Sequence, residues 1–175
     1  MSFQGHGSSV NDLATDNLDG LVSVGNDNKL RISSISEQTI SESATDLGEQ
    51  PKSISFAGNN QPVVLTTEKA LVVNGNKVSA TKLGFEPSCI ACNGDKVIIG
   101  AKEVAGAFQY SLAGGELTNK TDIAIKDPVV AVRFRFLKTK PWAFVTLFYS
   151  ALMAKNSPSL IRATVSASLT VTIIT

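Results

Sequence analysis

The chain has 175 residues and a mass of 18.4 kDa, the size of one ordinary domain. Hydrophobic residues make up 43% of it, enough to bury a core, so wholesale disorder is excluded. Sixteen basic residues nearly balance 15 acidic ones, which excludes a nucleic-acid binder marked by strong positive net charge. Two cysteines are too few for a disulfide scaffold, and so low a number is typical of a reducing compartment. The polar N-terminus lacks the basic and apolar regions of a signal peptide, so none is predicted.

The near-zero net charge conceals a division of the chain. All 15 acidic residues lie at or before Asp127, and residues 1–127 contain 10 basic ones, so this part has a net charge of −5. The remaining 48 residues carry six basic and no acidic side chains, a net charge of +6. We therefore expect two segments of different character.

Short runs rich in β-branched and apolar residues alternate with turn clusters in the first 134 residues, without sustained helical periodicity. The clusters consist of Asn, Asp and Gly, which tolerate the positive φ that tight hairpins require. The predicted strands are Val10–Thr15, Leu21–Gly25, Leu30–Ser34, Ser53–Ala57, Val63–Thr67, Ala70–Val73, Val78–Leu83, Cys89–Cys92, Lys96–Gly100, Ala107–Ser111 and Val129–Phe134.

Similar repeat openings begin at Ser9, Pro51, Pro87 and Pro128, which lie 42, 36 and 41 residues apart. A period near 40 residues with about four short strands is typical of β-propeller blades. A β-sandwich would have strands of similar length but no reason to repeat every fourth one. The spacing predicts an all-β fold, a partial WD-repeat β-propeller of about three blades plus the opening strand of a fourth.

The first repeat also carries a polar signature. In a WD-repeat blade a His, a Ser or Thr, a turn Asp and a Trp are linked by hydrogen bonds, which fix the strand register. Here His6, Ser23 and Asp27 occupy such positions, whereas Ser33-Ser34 stands where Trp-Asp would fall, so we expect a partial network. His6 is the chain's single histidine. A metal ligand or general base would lack companions, and a structural role in the blade is favoured.

With these repeats in place, the segment from Gly5 to about Phe134 resembles the actin-interacting protein 1 family of WD-repeat proteins. The resemblance is carried by GHGSSVNDLATDNLDGLVSVGNDNKLRISSI, by EQPKSISFAGNNQPVVL, and by EPSCIACNGDKVIIGAKEVAGAFQYSLAGGELT running into DPVVAVRF. It implies part of the second propeller of a protein with two seven-bladed propellers.

The resemblance also implies a function. Members of the family bind actin and ADF/cofilin and promote the disassembly of cofilin-decorated filaments, so an actin-binding scaffold in the cytoplasm, at the cytoskeleton, is expected. The resemblance assigns a role to only three positions of this chain, His6, Ser23 and Asp27, as residues of the hydrogen-bond network within a blade. Residues that contact actin or cofilin stay unassigned.

After Phe134 the chain departs from the family pattern, so we divide it into a propeller segment, 1–134, and a divergent basic and apolar tail, 135–175. The apolar run Trp142–Ala154 would reach only about 20 Å as a helix, short of the ~30 Å membrane core. We expect it to pack on the exposed side of the last blade; interfacial membrane contact is the alternative. Strict alternation over Thr164–Ile173 predicts one further strand.

The sequence offers little chemistry. Cys89 and Cys92 lie three apart on a predicted strand, so their thiols should face opposite sides and form neither a redox pair nor a metal site. No nucleotide-binding or hydrolase motif occurs. Four aspartates of the first repeat miss the calcium-loop spacing and are predicted to be solvated or turn residues: Asp12, Asp16, Asp19 and Asp27. We expect a non-enzyme without cofactor or metal.

A partial propeller leaves two blade faces without neighbours. The chain is therefore expected either to be marginally stable or to self-associate through those faces. Two alternatives to the actin-binding scaffold remain open at this point: a nonfunctional or regulatory truncation, and a membrane-associated variant directed by the tail.

Overall fold

A computed structural model describes residues 5–16, 19–104, 106–125, 128–136, 143–149, 160–165 and 169–174. Within these ranges the chain forms strands and one 3-10 turn, and it has no helix long and apolar enough to cross a membrane. The strands form four sheets of four strands each. The first sheet contains β1 (Val10–Thr15), β2 (Gly20–Gly25), β3 (Lys29–Ser34) and β4 (Thr39–Asp46). The second contains β5 (Ser53–Ala57), β6 (Gln61–Leu65), β7 (Lys69–Asn74) and β8 (Lys77–Lys82).

The third sheet contains β9 (Pro87–Asn93), β10 (Lys96–Ala101), β11 (Ala107–Ala113) and β12 (Glu116–Ile123). The fourth contains β13 (Val129–Phe136), β14 (Ala143–Tyr149), β15 (Leu160–Val165) and β16 (Leu169–Ile174).

The first three sheets are antiparallel meanders whose strands follow chain order. Their hairpins turn at residues with positive φ, such as Asn28, Gly75 and Gly94, as the turn clusters predict. The first strand of each sheet contacts the first strand of the next, so β1, β5, β9 and β13 lie side by side. This arrangement confirms the predicted all-β fold, a partial propeller in which the repeats are successive blades.

Apolar cores fill the spaces between neighbouring sheets. Val22, Val24 and Leu30 of the first sheet pack against Ile54 and Val64 of the second. The second sheet also packs against the third, and the third against β13 of the fourth. Both middle sheets are therefore covered on two faces, and their strands β6, β7 and β10 contain continuous apolar runs instead of alternating ones.

Two outer strands, β4 and β12, were absent from the predicted set. β4 reads TISESATD and β12 reads ELTNKTDI, and in β12 only Leu117 and Ile123 are buried. An outermost strand pairs along one edge and contributes little to the core, so its sequence lacks the apolar run by which the inner strands are recognised.

The fourth sheet is built differently from the other three. Its strand order is β13-β14-β16-β15, and β14 and β16 are parallel. The expectation that the Trp142–Ala154 run packs on a blade face is wrong for its described part, because β14 pairs edge to edge with β13. The remaining residues of that run lie outside the described residues.

The single strand predicted over Thr164–Ile173 is also wrong. β15 ends at Val165 and β16 begins at Leu169, and the two strands pair antiparallel. Both strands share one alternating pattern, so periodicity alone does not reveal the reversal between them. β13 continues to Phe136, two residues past the expected segment boundary.

Candidate interaction surface

The predicted blade residues His6, Ser23 and Asp27 lie together where the chain enters β1. His6 Nδ1 is 2.8 Å from Asp27 Oδ1, and His6 Nε2 is 2.8 Å from Ser23 Oγ. The Gly7 amide donates to Asp27 Oδ2 at 3.0 Å. The His6 side chain is only 4% exposed, so both of its ring nitrogens find partners inside the blade.

Electrostatics and packing both fit this network. Partial burial opposes ionisation of Asp27, but hydrogen bonds with His6 and from the Gly7 and Lys29 amides outweigh it and lower the pKa of the carboxyl. Asp27 is thus an ionised acceptor at neutral pH. Gly25 leaves the space that the network needs, since a Cβ there would lie 2.8 Å from His6 Nδ1 and 3.0 Å from Asp27 Oδ1.

Where a Trp-Asp pair would stand, the chain uses other contacts. Ser34 Oγ donates a hydrogen bond to the Asp19 carboxylate, which also accepts the Ser36 amide at 2.7 Å. These hydrogen bonds lower the pKa of Asp19, the Ser34 bond most. Arg31, which is paired with Ser23, is 9% exposed, and its Nε has no hydrogen-bond partner within the described structure.

Hydrogen bonds also join successive blades near the repeat openings. Asp12 Oδ2 accepts the Ser53 hydroxyl at 2.7 Å and the Ile54 amide at 2.9 Å. The Cys92 amide donates to Ser55 Oγ at 3.2 Å, and Ser88 donates to the Val129 carbonyl. The prediction that Asp12 is solvated or in a turn is therefore wrong, because its carboxylate ties β1 to β5.

We call the upper end the edge that carries the β2–β3, β6–β7 and β10–β11 turns and the connections into β1, β5 and β9; the lower end is the opposite edge. Between the first two blades the upper end holds a cleft of about 460 Å³. Polar side chains dominate its lining: Asn11, Asn26, Gln50, Lys52 and Thr67, with Val10 and Pro51.

Ion pairs continue this polar surface onto the second and third blades. Lys52 Nζ lies 2.7 Å from Glu86 Oε1, and Lys102 Nζ lies 3.0 Å from the same oxygen. Hydrogen bonds from both lysines lower the pKa of Glu86, and the bond to Glu86 raises the pKa of Lys102. Glu49 pairs with Lys69, which lowers the pKa of Glu49.

Sequence reasoning did not find this surface, because Lys52 and Glu86 are 34 residues apart. The signal that places them together is the repeat itself. Glu86 precedes Pro87 as Gln50 precedes Pro51, so each residue sits at the same opening of neighbouring blades.

The two cysteines of β9 face different cores. Cys89 packs against the core between the third and fourth sheets, and Cys92 against the core between the second and third. Burial raises the pKa of Cys89 and raises that of Cys92 to about 12, so both are protonated, free thiols. Within the described ranges no three His, Cys, Asp or Glu residues are grouped as metal ligands.

Comparisons with known proteins agree with this architecture. No family model matches the chain. It is 34% identical to Actin-interacting protein 1-2 of Arabidopsis thaliana over 57% of its length, and 31% identical to the 66 kDa stress protein of Physarum polycephalum over 66%. It spans only 17% and 20% of the lengths of these relatives.

Among solved structures, the computationally designed proteins Ika4 and Ika8 share the fold, with TM-scores of 0.60 and 0.59 at 18% and 16% identity. Each match covers 85% of this chain, 95% of the Ika4 chain and 48% of the Ika8 chain. The sequence similarity supports a relation to Actin-interacting protein 1-2, and the likeness to Ika4 and Ika8 shows the fold.

Proposed function

We propose that the chain is a β-propeller scaffold that binds actin through protein–protein contacts and performs no chemistry. The observation that carries this proposal is its 34% identity to Actin-interacting protein 1-2 across 57% of the chain. The contact of His6 with Ser23 and Asp27 supports it, since that arrangement is the one expected for a WD-repeat blade.

The proposed mechanism is recognition by the upper end. Its ion pairs present lysines and carboxylates side by side on the second and third blades, and Lys102 keeps 58% of its side chain exposed. Mixed charges on a partly solvated surface favour selective docking to a polar protein surface, because electrostatic complementarity fixes partner and orientation. We propose actin filaments decorated with ADF/cofilin as the target, filament disassembly as the outcome, and the cytoplasmic cytoskeleton as the location.

Co-sedimentation tests this proposal. The 175-residue chain is incubated with actin filaments, with and without cofilin, and pelleted; binding above background, with faster disassembly when cofilin is present, is expected. Absence of both would reject an actin function for this chain.

A matched pair of variants tests the proposed surface. Lys102→Glu reverses an exposed charge at the upper end, whereas Lys77→Glu reverses an exposed charge at the lower end, where β8 begins. We expect Lys102→Glu to lower the pelleted fraction and Lys77→Glu to leave it unchanged. If both variants change the pelleted fraction equally, the upper end is not the surface that binds actin.

A further inference from the structure

A groove of about 270 Å³ opens between the first two blades at the lower end. Its mouth lies among the β1–β2, β5–β6 and β7–β8 turns, and both of its walls belong to described residues. The apolar residues that line it come from both blades: Val22, Leu30, Ile32, Phe56, Pro62 and Val73. The apolar core between these blades therefore continues to the lower end without closing there.

Ile32 is the apolar residue that this opening leaves most exposed. It pairs with Val22, which is buried in the core between the first two sheets, so both side chains share that face. Val72 holds the equivalent position of the second blade, because it pairs with Val63 two residues beyond the first pair of its hairpin, as Ile32 does with Val22. Val72 is 1% exposed, whereas Ile32 is 52% exposed. A position that is covered in the second blade is thus open in the first.

Neighbouring turns meet differently at the two places. The Gly58 amide donates a hydrogen bond to the Gly94 carbonyl, and a Cβ on Gly58 would lie only 3.0 Å from the carbonyl carbon of Gly94. The β5–β6 and β9–β10 turns therefore close the lower end between the second and third blades. Between the first and second blades, Asp16 of the β1–β2 turn and Asn60 of the β5–β6 turn line the groove instead.

The wall that the first blade contributes is acidic at its mouth. Asp16 lines the groove, and its Oδ1 accepts the Gly20 amide at 2.9 Å. Asp19 belongs to the same turn, and hydrogen bonds from Ser34 and Ser36 lower the pKa of its carboxyl. Two carboxyl side chains thus lie where a partner would enter from the first blade.

The basic residues of the first blade lie elsewhere. Residues 1–50 contain two of them, Lys29 and Arg31. Lys29 follows the β2–β3 turn at the upper end, and Arg31 faces away from the second blade because its neighbour Ile32 faces toward it. On the second blade Lys77 is exposed where β8 begins, after the β7–β8 turn. A bound segment therefore meets carboxylates on the first blade and a lysine on the second.

We propose that this groove binds an extended segment of a partner protein in which a large apolar side chain stands next to a lysine or arginine. The apolar side chain enters the groove and covers Ile32, and the cation lies beside Asp16 and Asp19. Burial of apolar surface supplies the affinity, and the opposite charges fix the direction of the segment. Pockets for whole small molecules begin at about 300 Å³, so a groove of this size suits one or two side chains. The site lies at the end opposite the surface proposed for actin and is independent of it.

Selection of phage-displayed random peptides on the immobilised 175-residue chain is the first test. We expect the enriched peptides to carry a large apolar residue next to a lysine or arginine. If no sequence is enriched, or if acidic peptides are enriched, the proposal is wrong. Enrichment of apolar peptides without a basic residue overturns the charge pairing.

An enriched peptide with a fluorescent label then tests the groove by anisotropy. Ile32→Lys removes the apolar contact and places a cation there, so the dissociation constant should rise about tenfold or more. Val104→Lys, at a residue 53% exposed between β10 and β11, is the matched control and should leave it unchanged. Ile32→Thr keeps a β-branched residue in the strand and should also weaken binding, which covers the case that Ile32→Lys does not fold. Unchanged affinity in folded Ile32→Lys or Ile32→Thr overturns the proposal.

Asp16→Asn tests the charge pairing, because the amide oxygen can still accept the Gly20 amide. Raising salt from about 0.1 M to about 1 M shortens the Debye length from about 10 Å to about 3 Å. The peptide should therefore dissociate more easily from the wild type at high salt, and Asp16→Asn should bind it more weakly and with less dependence on salt. An identical salt dependence in the two chains overturns the pairing with Asp16.

Sedimentation velocity without peptide distinguishes a partner protein from a second copy of this chain. Wild type and Ile32→Lys should sediment alike. If the wild type forms a dimer that Ile32→Lys dissociates, the groove holds a second copy, and the proposal of a separate partner is wrong.

Discussion

The Asp12 carboxylate accepts the Ser53 hydroxyl at 2.7 Å and thereby joins the first strands of two neighbouring blades. The same oxygen accepts the Ile54 amide at 2.9 Å. We expect Asp12→Ala to lower the free energy of unfolding by about 1–3 kcal/mol, because it leaves partly buried donors unpaired. Urea denaturation measures the effect.

A double-mutant cycle with Ser53→Ala isolates the Asp12–Ser53 bond from other effects of the substitution. Asp46→Ala is the matched control, because Asp46 Oδ1 accepts only the exposed turn amide of Gly48 in the described contacts. Asp46→Ala should lower the free energy of unfolding less than Asp12→Ala does. Equal losses for Asp12→Ala and Asp46→Ala would contradict a specific role for Asp12 between blades.

Gly25→Ala should disrupt the His6–Asp27 contact. The new methyl group would lie 2.8 Å from His6 Nδ1 and 2.9 Å from the Ser9 carbonyl oxygen, closer than real Cβ atoms come. We expect a loss of about 1–3 kcal/mol in the free energy of unfolding, from overpacking and displaced hydrogen bonds. Gly7→Ala is the control, since its Cβ would meet nothing within 4 Å. Similar melting temperatures for the two variants would show that the network tolerates displacement.

Stability should fall in acid partly through Asp27. The pKa of Asp27 is lowered in the folded chain, so its contribution is complete above the ordinary value of 3.8 and is lost as pH drops through the lower folded value. Asp27→Asn should reduce stability at pH 7 and flatten the decline below about pH 5. Denaturation curves from pH 7 to pH 3 measure this, with exposed Asp95→Asn as control. If the stability of Asp27→Asn falls with pH as steeply as that of the wild type, Asp27 is not a source of the acid sensitivity.

The contact between the third and fourth sheets depends on a glycine. A Cβ on Gly100 would lie 2.7 Å from Cys89 Sγ and 2.9 Å from Val129 Cβ. Gly100→Ala should therefore destabilise the chain by about 1–3 kcal/mol. Adding Cys89→Ala removes one of the crowded atoms and should recover part of the loss. Purely additive losses in the double variant would contradict crowding at Cys89.

Native thiols should react slowly with Ellman's reagent. Burial raises the pKa of both cysteines, that of Cys92 to about 12, so little thiolate is present at pH 8, and Cys92 should react more slowly than Cys89. Unfolding in urea should expose two fast thiols. An introduced Ser8→Cys, at an exposed position, serves as the reactive control. Rapid native reaction of Cys92 would contradict its place in the core.

The repeating parts of the fold could be predicted because local chemistry specifies them. Asn28, Gly75 and Gly94 mark hairpins through their positive φ, and the apolar runs of the inner strands mark the core. β4 and β12 could not be predicted because an outermost strand needs few apolar residues. The blade residues His6, Ser23 and Asp27 could be placed only with the help of the family pattern.

What could not be predicted depends on partners distant in sequence. In the sequence Asp12 resembles the neighbouring turn aspartates, because its partner Ser53 in β5 is 41 residues away. Lys52 and Glu86 become an ion pair only when two blades are stacked. β14 and β16 pair in parallel. The alternation of side chains between the two faces of a strand is the same for parallel and antiparallel neighbours, so the sequence does not indicate this direction.

The insertion of β16 between β14 and β15 constrains the order of assembly during synthesis. Each of the first three blades is complete as soon as its own fourth strand leaves the ribosome. The last sheet must wait for Leu169–Ile174, because β14 and β15 meet only through that strand. During synthesis the first three sheets can therefore form before the fourth, in which the edge of β14 stays unpaired until β16 has been made.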